Sequence, residues 1–408
     1  MTRRTLGFRV SLIVALAVAV CTSVSAQSST EPADHPSAGW RYDPAAGLVY
    51  ERGDFKWITW GFAERLFNPA GRATWRRVRQ GMEFDLPRFS EKYRNAFVYE
   101  VDLTDNDFFR VGPRRRIFEN LFLTIQDADE SSAFRVLLGE NTHILSREDN
   151  HSSGNLPTIN RSLILEEHGS VNAFGTQFGV QVQKVLSPRY TLALSAQDNR
   201  GSFNQDRPRF VIGNSLAAKV TTLAVSDDAR GRRLSFGAAV DHTRGVRDRT
   251  FTLSSAIAQN VLGGTSASGN KLTLEGDATY TGRVGALPFT LEVEGLQSSF
   301  SQSRTRVVGG YAQAQVCILS SKQTGTVDPF ARYDVVHLSR QGIDGRASQQ
   351  ATRIGLNYNL PYARQLANVH IEFADNQISG PAAMVRTSRS FDEVRVELRV
   401  NLTQYVRR

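Results

Sequence analysis

Residues 391–403 read FDEVRVELRVNLT. Val394, Val396, Leu398, Val400 and Leu402 fall on one side of an extended chain, and Arg395, Glu397, Arg399, Asn401 and Thr403 on the other. Successive side chains of a strand point to opposite faces, so this period of two predicts a strand. The pattern returns with Ile354, Leu356, Tyr358 and Leu360 against Arg353, Gly355, Asn357 and Asn359, and with Val78, Met82, Phe84 and Leu86 against Arg77, Arg79, Glu83 and Asp85. Phe97, Tyr99, Val101 and Leu103 oppose Glu100 and Asp102. No stretch shows helical spacing of comparable clarity.

Alternation alone leaves open which face meets water. A sandwich buries the apolar face, whereas a transmembrane barrel turns it to lipid and wets the polar one. Number and spacing choose between them. About sixteen segments of about ten residues follow one another without a linker, the size of strand that crosses an outer membrane when tilted. They are expected near 55–67, 74–86, 96–104, 117–126, 133–139, 176–186, 190–197 and 217–225, then 233–242, 271–281, 288–297, 306–318, 328–339, 349–360, 368–374 and 391–406. Their connections alternate in length. Segments 187–189, 226–232 and 282–287 are short, as periplasmic turns are; 140–175, 198–216, 243–270 and 376–390 are long, although the first outer connection, 68–73, is not. The fold class expected is all-β: a transmembrane antiparallel β-barrel of about 16 strands, closed so that no sheet edge faces hydrocarbon.

Composition agrees. The chain has 408 residues, 22% of them charged, and a mean hydropathy of -0.31, which excludes a bundle of membrane-spanning helices. Two cysteines exclude a disulfide scaffold. Arg3, Arg4 and Arg9 precede an apolar stretch at 10–20, and Val24, Ser25 and Ala26 offer a cleavage site, so residues 1–26 read as a secretory signal peptide. An anchor helix of that length would reach only about 17 Å. Cys21 is no lipid-attachment site, because Val20 stands where a small residue is needed. The remaining organisation is an N-terminal periplasmic segment at 27–54 and a barrel pore domain at 55–408. The net charge is +9, and arginine dominates it: lysine occurs only at 56, 92, 184, 219, 271 and 322. Basic runs such as Arg76, Arg77 and Arg79, or Arg114, Arg115 and Arg116, read as solvated or lumen-facing positions, since an exported chain does not meet nucleic acid.

RRVRQGMEFDLPRFSEKYRNAFVYEVDLTDN at 76–106, PFARYDVVHLS at 329–339 and FDEVRVELRVNLTQ at 391–404, taken in that order, resemble the phosphate-selective porin O and P family. The resemblance implies a 16-stranded outer-membrane barrel in a Gram-negative bacterium, commonly a trimer, passing anions such as phosphate through a basic constriction. Two features depart from the family: no lysine cluster is present, and the chain ends Tyr405, Val406, Arg407, Arg408 rather than in an aromatic residue.

Signatures of catalysis are absent. The histidines at 35, 143, 151, 168, 242, 337 and 370 lack zinc spacing. Residues 264–268 lack the last glycine of a nucleophile elbow, and Asn270 stands where a phosphate-binding loop has lysine. The acid pairs Glu166 with Glu167 and Glu292 with Glu294 are what a wetted face shows. No metal, cofactor or enzyme activity is expected. A lumen selects ions through rings of charge, and Arg77, Arg79, Arg135, Arg332, Arg353, Arg395 and Arg399 fall on the polar face. Acids share that face, so cross-strand ion pairing is the competing role. Segment 140–175 is the third outer loop; folded inward, by analogy with general porins, it would place Arg147 and Arg161 at a constriction, and a solvated surface loop is the equal alternative. Trp57, Trp60, Tyr99, Tyr280, Tyr358 and Tyr405 are expected near strand ends or on the outer face. The expectation is passive conduction of small anions; a general or sugar-permeable porin, or a secreted β-rich enzyme or binding protein, are the alternatives.

Overall fold

In the computed structural model, the residues described are 39–43, 47–52, 55–67, 73–102, 118–128, 134–150, 156–165, 176–198, 214–250, 266–321, 325–360, 367–385 and 389–401. The signal segment with Cys21, the run at 114–116, Glu166, Glu167, Gly264 and Tyr405 lie outside them.

The strands are β1 (Gly39–Asp43), β2 (Gly47–Arg52), β3 (Phe55–Phe67), β4 (Ala73–Ser90), β5 (Tyr93–Asp102), β6 (Phe118–Asp127), β7 (Phe134–Thr142), β8 (Thr176–Ser187), β9 (Tyr190–Asp198) and β10 (Ser215–Asp227). After them come β11 (Arg232–Thr250), β12 (Ser266–Val284), β13 (Leu287–Phe300), β14 (Thr305–Val316), β15 (Leu319–Ser321), β16 (Gly325–Arg340), β17 (Ala347–Asn359), β18 (Ala367–Ser379) and β19 (Arg389–Asn401). Each strand from β3 to β14 pairs antiparallel with the next, β14 pairs with β16, and the series continues to β19. β19 returns to β3, from Val396 opposite Phe67 to Asn401 opposite Phe62, so sixteen strands close into a barrel. Every segment expected from the alternation is one of these sixteen.

Side chains are distributed inside out. Ile354, Leu274 and Val394 are 58%, 49% and 46% exposed, whereas Asp334 and Glu397 are fully buried. The apolar face therefore points outward and the charged face encloses the interior, the arrangement a hydrocarbon solvent demands. No helix among the described residues is long and apolar enough to cross a membrane; the strands make the crossing.

Four details differ from expectation. The segment at 27–54 contains β1 and β2, and β2 pairs with β3 from Leu48 opposite Thr59 to Arg52 opposite Phe55. It thus occupies the β3 edge next to the stretch paired with β19, and Val49 is fully buried. β11 and β12 run on past the expected ends at 242 and 271, pairing as far as Thr250 opposite Ser266 through register shifts on either side of Val246, so the outer connection is shorter than 243–270. β18 likewise extends to Ser379. Trp60 faces inward rather than toward lipid. It is buried with Ile58, Val98, Phe122 and Leu137, and a Cβ on Gly81 would sit 2.3 Å from its ring, so only glycine fits there.

Candidate functional site

Between β7 and β8 the described residues, 143–150 and 156–165, lie in the lumen, fastened to the wall residue by residue. A one-turn helix, α1 (Arg147–Asn150), is capped by Ser146 Oγ, which accepts from the Asp149 N–H at 3.0 Å. Before it, His143 lies 3.7 Å from Asp241 of β11, whose carboxylate also meets Lys271 Nζ at 2.7 Å and accepts from Ser215 Oγ at 2.6 Å. The Leu145 carbonyl accepts from Lys219 Nζ of β10 at 2.7 Å. Leu145, Leu163, Ile164 and Leu165 fill an apolar pocket with Leu296, Phe300, Val336 and Leu338 of the wall.

The centre of the anchorage is Arg332 of β16. Its Nη1 meets Glu148 Oε1 at 2.6 Å, its Nε meets Asp334 Oδ1 at 3.0 Å, and its guanidinium stacks 3.9 Å above the Tyr311 ring. Arg353 stands directly opposite Arg332 on β17, and Asp334 lies 3.2 Å from Arg353 Nε, so one carboxylate bridges a like-charged pair, with Glu148 as the second counter-charge. Arg353 Nη1 donates to the loop carbonyls of Asn160 and Arg161 at 3.1 and 3.3 Å. Glu148 is bonded from both sides: its backbone N–H donates to Glu294 Oε2 at 3.0 Å, and its Oε2 accepts from the Ser162 N–H at 2.8 Å. Burial pushes the Glu148 carboxyl up, but Arg332 and the Ser162 hydrogen bonds outweigh it and hold the pKa below the ordinary glutamate value. Farther along, Glu372 of β18 accepts from the Ile159 N–H at 3.1 Å. Arg399 of β19 donates to the Leu156 carbonyl at 3.2 Å while pairing with Glu397 at 2.9 Å and Glu64 at 3.4 Å.

All nine arginines singled out from the sequence lie in the lumen or on its loop, but they divide by exposure. Arg332, Arg353 and Arg399 are at most 3% exposed, locked between wall and loop. Arg77, Arg79, Arg135, Arg147, Arg161 and Arg395 are only partly buried. Among them, Arg79 pairs with Glu100 at 3.1 Å, Arg147 with Glu292 at 3.6 Å, Arg161 with Asp149 at 3.3 Å and with the Glu148 carbonyl, and Arg395 with Glu393 at 2.5 Å. Arg135 donates to Thr124 Oγ1 at 3.4 Å. Arg76, the carboxylate of Glu64, Arg79 and the loop's Arg161 all lie within electrostatic reach of Arg77 on β4. The carboxylates divide in the same way: Glu64, Glu148, Asp241, Glu294, Asp334, Glu372 and Glu397 are at most 3% exposed, while Glu100, Asp149, Glu292 and Glu393 stay partly exposed beside their arginines.

Sequence reasoning missed Glu148, Lys219, Asp241 and Lys271 as anchors and treated Glu294 as an ordinary wetted position. Asp334 and Glu397 carried a usable signal: each sits two residues from a buried arginine on the same face. Among the described residues no group of His, Cys, Asp or Glu is arranged to hold a metal.

No protein-family model matches the chain, and no curated protein matches it in sequence. Solved structures share its fold. OmpT of Vibrio cholerae, expressed in the outer membrane, superimposes with a TM-score of 0.55 at 10% identity, over 86% of this chain and 99% of that one. The in-vitro folded trimer form of the same protein gives 0.53 at 10% identity, over 85% and 99%. An anion-selective porin from Comamonas acidovorans gives 0.52 at 11% identity, over 85% and 100%. At such identities the likeness shows the fold, that of outer-membrane porin barrels.

Proposed function

We propose that this chain is an outer-membrane porin that passively conducts small anions, phosphate among them, after removal of residues 1–26. The observation that carries the reading is a closed sixteen-strand barrel whose charged face encloses the interior, with Arg79, Arg135, Arg147, Arg161 and Arg395 left partly exposed on the wall and the inward loop. In a narrow passage walled by low-dielectric protein, arginines that exchange a carboxylate partner for a passing solute favour anions. Trimeric assembly is part of the proposal, supported by the trimer form of the Vibrio cholerae relative in fold. Phosphate rests on the family resemblance of segments 76–106, 329–339 and 391–404.

A second reading has its own observation. Arg79 with Glu100, Arg94 with Glu83 and Arg395 with Glu393 are already paired, which favours a general channel for polar solutes with weak ion preference. Reversal potentials across a planar bilayer under a potassium chloride gradient separate the two. Anion conduction predicts a potential toward the chloride equilibrium value; one near zero would reject it in favour of the general channel. Repeating the measurement in potassium phosphate tests the solute, since a phosphate channel conducts there as well as in chloride.

A further inference from the structure

The outer wall carries a cationic row that the lumen cannot use. On β13, β16 and β17 the outward positions pass from apolar to polar toward the loop-bearing end: Leu291 and Val293 give way to Gln297 and Ser299, Tyr333 and Val335 to His337 and Ser339, and Ile354 to Gln350 and Ser348. This change marks the upper edge of the hydrocarbon belt. Arg306 of β14 projects outward there. It is exposed, stands in register between Ser299 of β13 and Ser339 of β16, and donates from Nη2 to Gln297 Oε1 at 2.5 Å.

Arg346, also exposed, immediately precedes β17. The register of Leu338 with Ala347 brings it opposite Ser339, and its charge reaches His337, which is itself bonded to Ser348 at 2.8 Å. With adjacent strands about 4.8 Å apart, the two arginines flank Ser339 at roughly 10 Å. Arg304 lies at the same corner, where its Nη1 donates to Gln341 Oε1 at 2.8 Å. The acid nearest Arg346 in sequence is Asp344, in the connection between β16 and β17.

At the margin of hydrocarbon, water screens a guanidinium poorly, so a counter-charge in the headgroup layer is strongly favoured. Guanidinium forks match phosphate oxygens in pairs, and serine hydroxyls between them add a donor. We propose that the row of Arg306, Ser339 and Arg346 docks the phosphate of a lipid headgroup lying against the outer wall of β14, β16 and β17. The site stands apart from the lumen and from whichever solute the channel carries, although it needs the barrel to sit in a bilayer.

The test reconstitutes the barrel in phosphatidylcholine vesicles containing a small fraction of spin-labelled phosphatidic acid or, in parallel, spin-labelled phosphatidylcholine. Heat-modifiable migration and chloride conductance score insertion first, so a failure to insert is distinguished from a failure to bind headgroup. The immobilised fraction of phosphatidic acid is expected to exceed that of phosphatidylcholine about fivefold. The double variant R306Q/R346Q should bring it to the phosphatidylcholine level with conductance unchanged. If the double variant gives no conducting barrel, R306Q and R346Q singly carry the test, each losing part of the excess. Equal immobilisation of both lipids, or an excess that survives the variants, overturns the proposal. So does loss of the excess on adding inorganic phosphate at the lipid's concentration, which would assign the row to free phosphate.

Discussion

Arg332, Arg353 and Arg399 lie under the inward loop, whereas Arg79, Arg135, Arg147, Arg161 and Arg395 line the space the loop leaves open. The side chain is the same and, apart from Arg147 and Arg161 on the loop itself, so is the barrel face. Position relative to the loop decides what each can do. Beneath it, a guanidinium has given up its water and is held by carboxylates and loop carbonyls that offset much of the desolvation, so it cannot release them for a passing ion. In the open lumen a guanidinium keeps some water beside its ion pair, so it gives up less than a sealed one does when it exchanges its carboxylate for a solute anion. One set shapes the passage, and the other can select what moves through it.

The largest effect should come from breaking the first set. R332M leaves Glu148 without its cation and Asp334 with Arg353 alone, and removing one partner of a buried pair costs about 3 to 5 kcal/mol. Urea titrations scored by heat-modifiable migration should show the barrel markedly weakened, with noisy conductance as the loop comes free. The double variant E148L/R332M should recover part of the loss, because it removes the charge that the single variant strands. Wild-type stability in R332M would mean the loop is held by its apolar contacts alone.

Reversing the second set sharpens the contrast from the other side. The triple variant R79E/R135E/R161E should lose less stability per site than R332M, although R79E and R161E set a new carboxylate against Glu100 and Asp149. Its reversal potential should move toward the potassium value, each reversal altering the cation-to-anion permeability ratio by up to about fivefold, as an electrostatic change near 1 kcal/mol implies. An unchanged potential would remove these arginines from selection and leave them as wall-stiffening pairs.

Much of this was legible in the residues and some was not, for physical reasons. Strands such as β17 and β19 announce themselves because lipid on one side and water on the other force strict alternation. β3 resists the same reading. Ile58, Trp60 and Phe62 point inward while Trp57 and Ala63 point outward, so both faces look apolar and Trp60 is misassigned to the membrane interface. β1 and β2 are too short to alternate visibly. Anchor partners were out of reach: Glu148 and Arg332 are 184 residues apart, and no local pattern joins a loop to a strand on the far wall. The composition of the lumen could be read, but which charges the loop would cover could not.

The smallest effect expected is a pH response of the anchorage, and its sign follows from Glu148. The folded carboxyl has its pKa held below the ordinary 4.5, so the stabilisation it lends the loop is fully present above that value and is lost only as pH falls through the lower folded value. The difference in conductance noise between wild type and E148Q should therefore be constant from neutral pH down to about 4.5 and shrink only in more acidic solution. The change should stay below that of R332M, because protonating Glu148 leaves Arg332 paired with Asp334 and stacked on Tyr311. E148Q carries the control: it lacks the titrating group, so the acid-induced change attributed to the loop should be absent. Closure at mildly acidic pH, or an acid response equally strong in E148Q, would place the sensitive group elsewhere in the lumen and separate loop anchorage from the charge of this carboxylate.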